Sequence, residues 1–273
     1  MRIAVAFFGI PRNSLICFPS IEQKIYQYLP ANAQVGSFYH LYEPQLVNNP
    51  RSGENGFIGE SNYQSFAWMT GRLEEAGGCL TRWGFEEIKQ YGDVWRDDFK
   101  SLSNLIHQLS SLYAVTELVS DFDPDVVIFI RPDLLYHDAL PGFVLNACLS
   151  IGRAVYIPHW QWWNGLNDRF AICGRDVYGA YGRRIELAVP FCLQQQRGLH
   201  AERLLRFSMD QAGALVRTLD MRASRVRLNG QLVEEEFSAK HSMGRRENRF
   251  VLPMARLRAR FDKLIYRQGG ALG

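Results

Sequence analysis

Gly9 to Arg12 follow a short apolar run at the start of the chain. The run Ile3–Phe8 contains only apolar residues and is closed by Gly9-Ile10-Pro11. Glycine lets a ligand approach the backbone, and a guanidinium such as that of Arg12 can pair with a diphosphate. The segment therefore predicts a phosphate-binding turn. The alternative is a plain strand-to-helix turn with a surface arginine.

A second charged segment, Arg131-Pro132-Asp133, directly follows the apolar run Val126–Ile130. Charged groups after a buried strand are costly to place unless they meet solvent or a ligand. Asp133 can hold Mg²⁺ or Mn²⁺ together with substrate phosphates, and Arg131 can instead offset phosphate charge directly. The alternative is a buried Arg131–Asp133 ion pair that orders the end of the strand.

A third polar segment, Asn164–Arg169, follows a cluster of tryptophans at 160–163. An aspartate in such a loop, here Asp168, can accept a proton from an acceptor hydroxyl. Trp163 and its neighbours can stack on a sugar face, although packing under a loop is the more common use of tryptophan. His200 and Glu202 open a later helix, where they can touch substrate or only cap the helix and carry surface charge.

Composition and motifs narrow the possible functions. The formal net charge of +3 is too small for a dedicated nucleic-acid binder, so no nucleic-acid partner is expected. Arginine supplies most of the basic residues, which suits a bidentate grip on phosphate or carboxylate, or reflects codon bias. The sequence has no G-x-x-x-x-G-K-[ST] motif and no G-x-G-x-x-G after its first strand, which excludes a P-loop and argues against a dinucleotide-binding fold.

The cysteines and the apolar runs indicate the compartment. Five widely spaced cysteines with no C-x-x-C pair argue against a disulfide framework or a cysteine zinc site, and we expect reduced, buried thiols. No segment approaches about 18 continuous apolar residues, so no membrane span is expected. The N-terminal run lacks the features of a signal peptide. These observations predict a cytoplasmic protein.

Alternating apolar runs and turns predict the elements that must position these residues. The predicted strands are Ile3–Phe8, Gln34–Leu41, Val126–Ile130, Ala154–Ile157, Asp168–Cys173 and Ser224–Leu228. The predicted helices are Leu15–Leu29, Tyr63–Ala76, Ser101–Ser120, Asp176–Leu187 and Ala201–Leu215. A β-α-β start implies a parallel sheet, and in such sheets ligands bind beyond the carboxyl ends of the strands. The polar segment Glu43–Asn62 is long enough to be a functional lid or a disordered segment.

No internal linker divides the chain, so one domain is predicted over residues 1–243. Residues 244–273 form a basic C-terminal tail, with many arginines among apolar residues from Gly244 to Arg267. This pattern predicts a helix. It can lie on an anionic membrane surface, at the inner face of the membrane, or pack its apolar face on the protein body.

Six motifs recur along the chain in a definite order. They are G-x-x-R (Gly9–Arg12), N-x-x-x-Q-x-x-S-x-Y (Asn104–Tyr113), R-P-D (Arg131–Asp133), N-D-R-F-A (Asn167–Ala171), H-x-E (His200–Glu202) and R-V-R (Arg225–Arg227). The series resembles a family of bacterial and viral nucleotide-sugar glycosyltransferases with a GT-A-like fold. It covers residues 1 to about 230. The resemblance implies an α/β, GT-A-like (Rossmann-like) single domain with a mostly parallel central sheet flanked by helices.

The resemblance also implies roles for individual residues. The residues implied to bind the donor are Gly9, Pro11, Arg12, Asn104, Gln108, Tyr113, Arg131 and Arg227. Those implied for the acceptor side are Trp163, Asn167, His200 and Glu202. Asp168 is the implied general base. Asp133 stands where such enzymes carry the metal-binding D-x-D, but Arg131 replaces the first acid, so a divalent cation (Mn²⁺ or Mg²⁺) is an open expectation.

The sequence thus predicts an enzyme that transfers a sugar from a nucleotide-sugar donor to a glycan or glycolipid acceptor. Surface-polysaccharide biosynthesis is the setting that the resemblance implies. Two alternatives remain: a non-catalytic nucleotide- or sugar-binding protein of the same fold, and a nucleotidyltransferase or phosphoesterase. The second alternative requires more clustered carboxylates than Asp133 alone provides.

Overall fold

The computed structural model describes residues 1–43, 46–49, 53–75 and 77–238. A seven-stranded sheet is flanked by helices on both faces. The strands are β1 (Arg2–Gly9), β2 (Gln34–Tyr42), β3 (Val47–Asn49), β4 (Glu54–Gly56), β5 (Thr70–Glu74), β6 (Val126–Ile130), β7 (Leu134–Tyr136), β8 (Ala154–Pro158), β9 (Ala171–Gly174), β10 (Leu215–Leu219) and β11 (Ala223–Arg225). The α-helices are α1 (Ser14–Lys24), α2 (Ser61–Gln64), α3 (Cys79–Arg82), α4 (Phe85–Lys89), α5 (Lys100–Asp121), α6 (Gly142–Ser150), α7 (Tyr178–Gly182), α8 (Ala188–Gln195) and α9 (Ala201–Gln211).

The strand order in the large sheet is β10-β8-β9-β6-β1-β2-β5. β1 pairs in parallel with β2 and β6, and the pairs β2–β5 and β8–β10 are also parallel. β9 runs antiparallel to both of its neighbours, β6 and β8. The predicted α/β fold, a mostly parallel sheet flanked by helices in one domain, is therefore confirmed for the described residues.

β1 is buried on both faces, which explains its unbroken apolar sequence. Its alternate residues enter two cores: Ile3, Val5 and Phe7 pack on the side of α1 and α6, and Ala4, Ala6 and Phe8 on the side of α5. The predicted strands at the start of the chain and at Val126–Ile130 are confirmed for the same reason, since a continuous apolar run suits a central strand.

Helix α5 is the longest described helix, and it packs against the carboxyl ends of β1 and β2. Gly9 N donates to Ser111 Oγ at 2.8 Å, and Ser111 Oγ donates to His40 O at 2.6 Å. The predicted helix Ser101–Ser120 is confirmed almost to the residue. One hydroxyl of this helix thus fixes the ends of two neighbouring strands.

Two small sheets complete the framework around these strand ends. β7 pairs antiparallel with β11, and Val226 N donates to Asp133 O at 2.9 Å, which brings the segment after β11 beside the segment after β6. β3 and β4 form an antiparallel hairpin. The predicted long loop Glu43–Asn62 therefore contains regular structure in its described residues.

The predicted helix Tyr63–Ala76 is wrong over most of its length. α2 ends at Gln64, and Thr70–Glu74 forms β5, which supplies a parallel partner for the outer edge of β2. At Gly71 an added Cβ would lie 2.0 Å from Tyr39 O, so this close approach of the two strands requires glycine. A helical pattern in the local sequence is overridden here by pairing with a distant strand.

Other elements are shorter than predicted, or were not predicted. The helix predicted over Ala201–Leu215 ends at Gln211, and Leu215 begins the sheet strand β10. The strands predicted at Asp168–Cys173 and Ser224–Leu228 are observed as Ala171–Gly174 and Ala223–Arg225. β7, α6 and β10 did not emerge from the sequence patterns.

All five cysteines are free and buried, as predicted. No helix in the described ranges is long and apolar enough to cross a membrane. The predicted basic tail at 244–273 and the domain boundary at 243 lie outside the described residues, so the tail and its membrane contact stay predictions.

Candidate functional site

A cleft of about 710 Å³ opens beyond the carboxyl ends of β1, β2 and β6. Gly9, Tyr42 and Arg131, which end or follow these three strands, all line it. Gly9 has φ +100°, a conformation that favours glycine, and no heavy atom lies within 4 Å of an added Cβ. The position is the one that parallel-sheet topology reserves for ligands.

Arg131 and Asp133 form a buried bidentate ion pair at this cleft. Arg131 Nε and Nη2 donate to the two oxygens of Asp133 at 3.0 and 2.8 Å, and Arg131 Nη1 donates to Gln108 Oε1 at 2.9 Å. Burial alone would raise the pKa of Asp133, but the Arg131 and Arg12 guanidiniums keep it well below its usual range. Burial alone would lower the pKa of Arg131, but Asp133 raises it above its ordinary value. Both side chains are therefore charged at neutral pH.

Glu54 joins two further arginines of the cleft. Arg12 Nη1 and Arg227 Nη1 donate to the same oxygen, Glu54 Oε2, at 2.9 and 3.0 Å. Leu228 N donates to the other oxygen, Oε1, at 2.9 Å. Arg12 Nε also lies 3.9 Å from Asp133 Oδ2. The two arginines come from opposite ends of the chain and meet at one buried carboxylate.

Asp168 lies in the cleft wall with only 4% of its surface exposed. Its Oδ2 accepts a hydrogen bond from Gln108 Nε2 at 3.2 Å. Burial alone would raise its pKa, but Arg169, Arg131 and Arg184 lower it below its ordinary value. Asp168 is therefore a carboxylate at neutral pH, and Gln108 bridges it to Arg131.

Arg169 and Arg225 line the cleft beside Asp168. Arg225 Nε donates to Glu235 Oε1 at 2.6 Å, and Gln161 Nε2 donates to Glu235 Oε2 at 2.7 Å. Arg169 differs, because it forms no ion pair with any residue that the structure describes; its guanidinium donates to Gln161 Oε1 at 3.3 Å. Burial and the neighbouring Arg225 lower the pKa of Arg169. The cleft therefore contains a cation whose charge is not neutralised in direct contact.

An aromatic and imidazole wall completes the cleft on the side of α9. His200 stacks on Trp95 with ring centroids 5.6 Å apart, and His200 Nδ1 lies 3.0 Å from Glu202 Oε2 without the alignment of a hydrogen bond. Trp163, which is 42% exposed, lines the same cleft. The loop that carries Trp163 packs tightly against α9, since Leu166 N donates to Glu202 O at 2.9 Å.

Most residues singled out in the sequence come together in this cleft. They are Gly9, Arg12, Asn104, Gln108, Arg131, Asp133, Trp163, Asp168, His200, Glu202 and Arg227. Their assignment to donor, acceptor, metal or catalysis stays a prediction.

Three of the predicted site residues do not line the cleft. Tyr113 packs against Trp83 with ring centroids 5.1 Å apart, on the helix face that turns towards the apolar core. Asn167 holds the loop together, since its Nδ2 donates to Trp160 O at 2.6 Å and its Oδ1 accepts from Arg169 N at 2.9 Å. Pro11 is buried in the turn before α1. These residues shape the wall and have no surface in the cleft.

Several polar residues of the site were not predicted. Glu54 lay in the polar segment expected to be a lid or disordered, and its partners are 42 and 173 residues away in the sequence. Arg169 and Arg225 stand inside recognised motifs, but their side chains had no role assigned. Glu235 and Gln161 carry no motif. Only the fold reveals that these side chains alternate in charge around one cleft.

The described residues do not fit a divalent cation at Asp133. Both oxygens of Asp133 already accept from Arg131, whereas a bound Mg²⁺ or Mn²⁺ would need at least one of them. No group of three or more His, Cys, Asp or Glu side chains in the described part of the chain is arranged to hold a metal. In this arrangement a guanidinium stands where the expected cation would bind.

Fold and cleft together define an α/β protein with an anion-binding site at the ends of its parallel strands. Five lining arginines supply planar donors of the kind that grip phosphate groups.

Comparison with known proteins adds little to this class. No protein-family model matches the chain, and a search of curated proteins returns no match. Among solved structures, the apo form of mouse xyloside xylosyltransferase 1 is similar to 81% of this chain and 86% of its own, with 12% sequence identity and a TM-score of 0.43. That similarity is too low to carry an inference about fold or chemistry, both of which depend here on the geometry described above.

Proposed function

We propose that the protein is a glycosyltransferase that transfers a sugar from a nucleotide-sugar donor to a glycan or glycolipid acceptor. The observation that carries the proposal is the cleft at the strand ends, in which Arg12, Arg131 and Arg227 lie close to one carboxylate, Asp168. Guanidiniums are suited to a diphosphate, and an ionised carboxylate is suited to a hydroxyl that must lose a proton. Surface-polysaccharide assembly is the proposed setting.

The arginines would stabilise the leaving group. In the transfer, the bond between the sugar C1 and the donor phosphate oxygen breaks, and the electron pair stays on the nucleoside diphosphate. Preorganised cations aimed at this developing charge lower the barrier without needing to reorganise. Arg12 and Arg131 are already fixed by Glu54 and Asp133, so they would meet the diphosphate in place.

Asp168 would act on the acceptor. As C1 bonds to the acceptor oxygen, the hydroxyl proton must leave, and in this proposal it passes to the Asp168 carboxylate. The lowered pKa of Asp168, which its neighbouring arginines cause, keeps it ionised and able to accept that proton. The wall of Trp163, His200 and Glu202 would hold the acceptor sugar by stacking and hydrogen bonds.

The proposal routes no step through a metal ion, because arginine occupies both oxygens of Asp133. Transfer should therefore proceed in EDTA at a rate close to that with Mn²⁺. The carboxylate cluster that a two-metal nucleotidyltransferase or phosphoesterase needs is not found among the described residues, which favours glycosyl transfer over that alternative.

A two-stage experiment tests the proposal. Thermal shift across nucleotides and nucleotide sugars identifies the ligand, since a molecule that binds only the folded state raises the melting temperature. Donor hydrolysis and transfer to glycan acceptors are then measured with Mn²⁺ and with EDTA. Binding with neither hydrolysis nor transfer would favour the non-catalytic alternative, and no binding by any member of the panel would refute the proposal.

A further inference from the structure

Glu54 makes more contacts with the candidate donor site than any motif predicted. It stands at the start of β4, in the hairpin whose other strand, β3, contributes Val47 and Asn49 to the cleft wall. Its side chain is 5% exposed, and both oxygens are engaged: Oε2 by Arg12 and Arg227, Oε1 by Leu228 N. It does not itself line the cleft.

The shared oxygen fixes the spacing of the two guanidiniums. Since Arg12 Nη1 and Arg227 Nη1 both bond to Oε2, these nitrogens can be no farther apart than the sum of the two bond lengths. Two like charges at that spacing repel each other unless an anion lies between them. Glu54 is that anion, so it holds together a pair of cations that would otherwise separate.

The position of Glu54 also leaves donors free for a ligand. Each arginine uses one terminal nitrogen on Glu54, while both side chains line the cleft. A carboxylate behind two arginines, away from the ligand, orients their remaining N–H groups in the way that carboxylates behind a metal-bound histidine orient the ring. A carboxylate inside the cleft would instead compete with the ligand.

We propose that Glu54 is a positioning residue that makes Arg12 and Arg227 into a single clamp for a diphosphate group. This inference rests on the proposed function, because the diphosphate is that of the donor. It extends the site to the β3–β4 hairpin, to which the sequence assigned no chemistry.

The decisive measurement is calorimetric titration of the full chain with inorganic pyrophosphate, which needs no knowledge of the nucleotide. Glu54→Gln keeps the shape of the side chain and removes its charge, and we expect it to weaken pyrophosphate binding at least tenfold. Glu54→Asp keeps the charge on a shorter side chain and should recover part of the loss. The matched control is Asp138→Asn, which removes a carboxylate from the exposed Asp138–Arg222 pair outside the cleft and should bind as wild type does.

A double-mutant cycle separates positioning from general loss of structure. If Glu54 acts through the arginines, Glu54→Gln should add little to the defect of an Arg12→Gln, Arg227→Gln protein. Equal losses in both backgrounds would overturn the proposal. Should Glu54→Gln fail to fold, as judged by circular dichroism, Glu54→Asp carries the same cycle.

The remaining outcomes are also decisive. Unchanged or tighter pyrophosphate binding by Glu54→Gln would overturn the proposal, because tighter binding would mean that Glu54 competes with the ligand. No binding by wild type would remove the clamp altogether. If wild type binds pyrophosphate and Glu54→Gln does not, but no nucleotide sugar supports transfer, the clamp stands and the glycosyltransferase assignment fails.

Discussion

At the scale of single residues, the cleft is organised by pairing arginine with carboxylate. Arg12 and Arg227 pair with Glu54, Arg131 with Asp133, and Arg225 with Glu235. Removing one partner of a buried pair leaves an uncompensated charge, so these pairs hold each other in place. Arg169 is different, because its charge finds no ion-pair partner in the described chain.

Replacing Arg169 should therefore separate stability from function. Arg169→Gln removes a cation whose pKa is lowered by burial and by Arg225, so the folded state loses an unfavourable charge. We expect the melting temperature to stay the same or rise, while pyrophosphate affinity falls about tenfold, as the loss of one charged hydrogen bond predicts. Thermal unfolding and titration measure the two effects.

The control for this prediction is Arg222→Gln. Arg222 pairs with Asp138 outside the cleft, so its replacement should leave pyrophosphate binding unchanged. A large drop in the melting temperature of Arg169→Gln would contradict the prediction, since it would mean that Arg169 stabilises the fold.

Asp168 makes a second prediction at this scale. Asp168→Asn keeps the shape of the side chain but cannot accept the acceptor proton, so transfer should fall about 100- to 10,000-fold, the usual contribution of a general base. Donor binding should change much less. The check is transfer and donor affinity measured on one preparation, and a variant that keeps full transfer activity would remove Asp168 from the mechanism.

At the scale of elements, the sequence predicted what local pattern determines. β1, β2, α5 and β6 agree closely with their predicted ranges, because each carries its own apolar period and ends at a turn residue. β5 and β10 lie at the two edges of the sheet, where a strand is defined by the neighbour it pairs with. For the same reason the sequence placed Arg12 and Arg131 at strand ends but could not show that Glu54 would join Arg12 to Arg227.

The loop before α5 is a structural device that the sequence did not suggest. The Asp93 carboxylate accepts four backbone hydrogen bonds of 2.9–3.0 Å, from the N–H groups of Trp95, Arg96, Asp97 and Phe99. These bonds lower the pKa of Asp93 in spite of its partial desolvation. They fix the loop that presents Trp95 to His200 at the cleft wall.

Asp93→Asn should loosen this loop, because an amide has one acceptor oxygen where the carboxylate has two. We expect faster hydrogen exchange at the amides of Trp95 to Phe99 and a fall in transfer of about 10- to 100-fold, since a displaced wall misplaces the acceptor. Asp98→Asn is the matched control, because Asp98 lies in the same loop and its side chain makes none of these bonds. Equal exchange in both variants would contradict the prediction.

At the scale of the whole molecule, the buried carboxylates link folding to pH. The pKa values of Asp133, Asp168 and Glu235 are lowered in the folded state because each is surrounded by arginines that outweigh the effect of burial. In the unfolded chain these groups return to values near 4. On acidification the unfolded state takes up protons first, so the stability from these groups is present above about pH 5 and is lost as the pH falls towards the folded values.

Glu235→Gln tests this linkage directly. At neutral pH the variant should be less stable than wild type by about 3 kcal/mol, because Arg225 loses its buried partner. As the pH falls below about 4, wild-type Glu235 becomes protonated in the unfolded state, and the free-energy difference between the two proteins should shrink. Urea unfolding at several pH values from neutral to acid gives that difference. A difference that stays constant with pH would mean that the charge of Glu235 does not stabilise the cleft, and the alternating ion pairs would then be a consequence of the fold and not one of its supports.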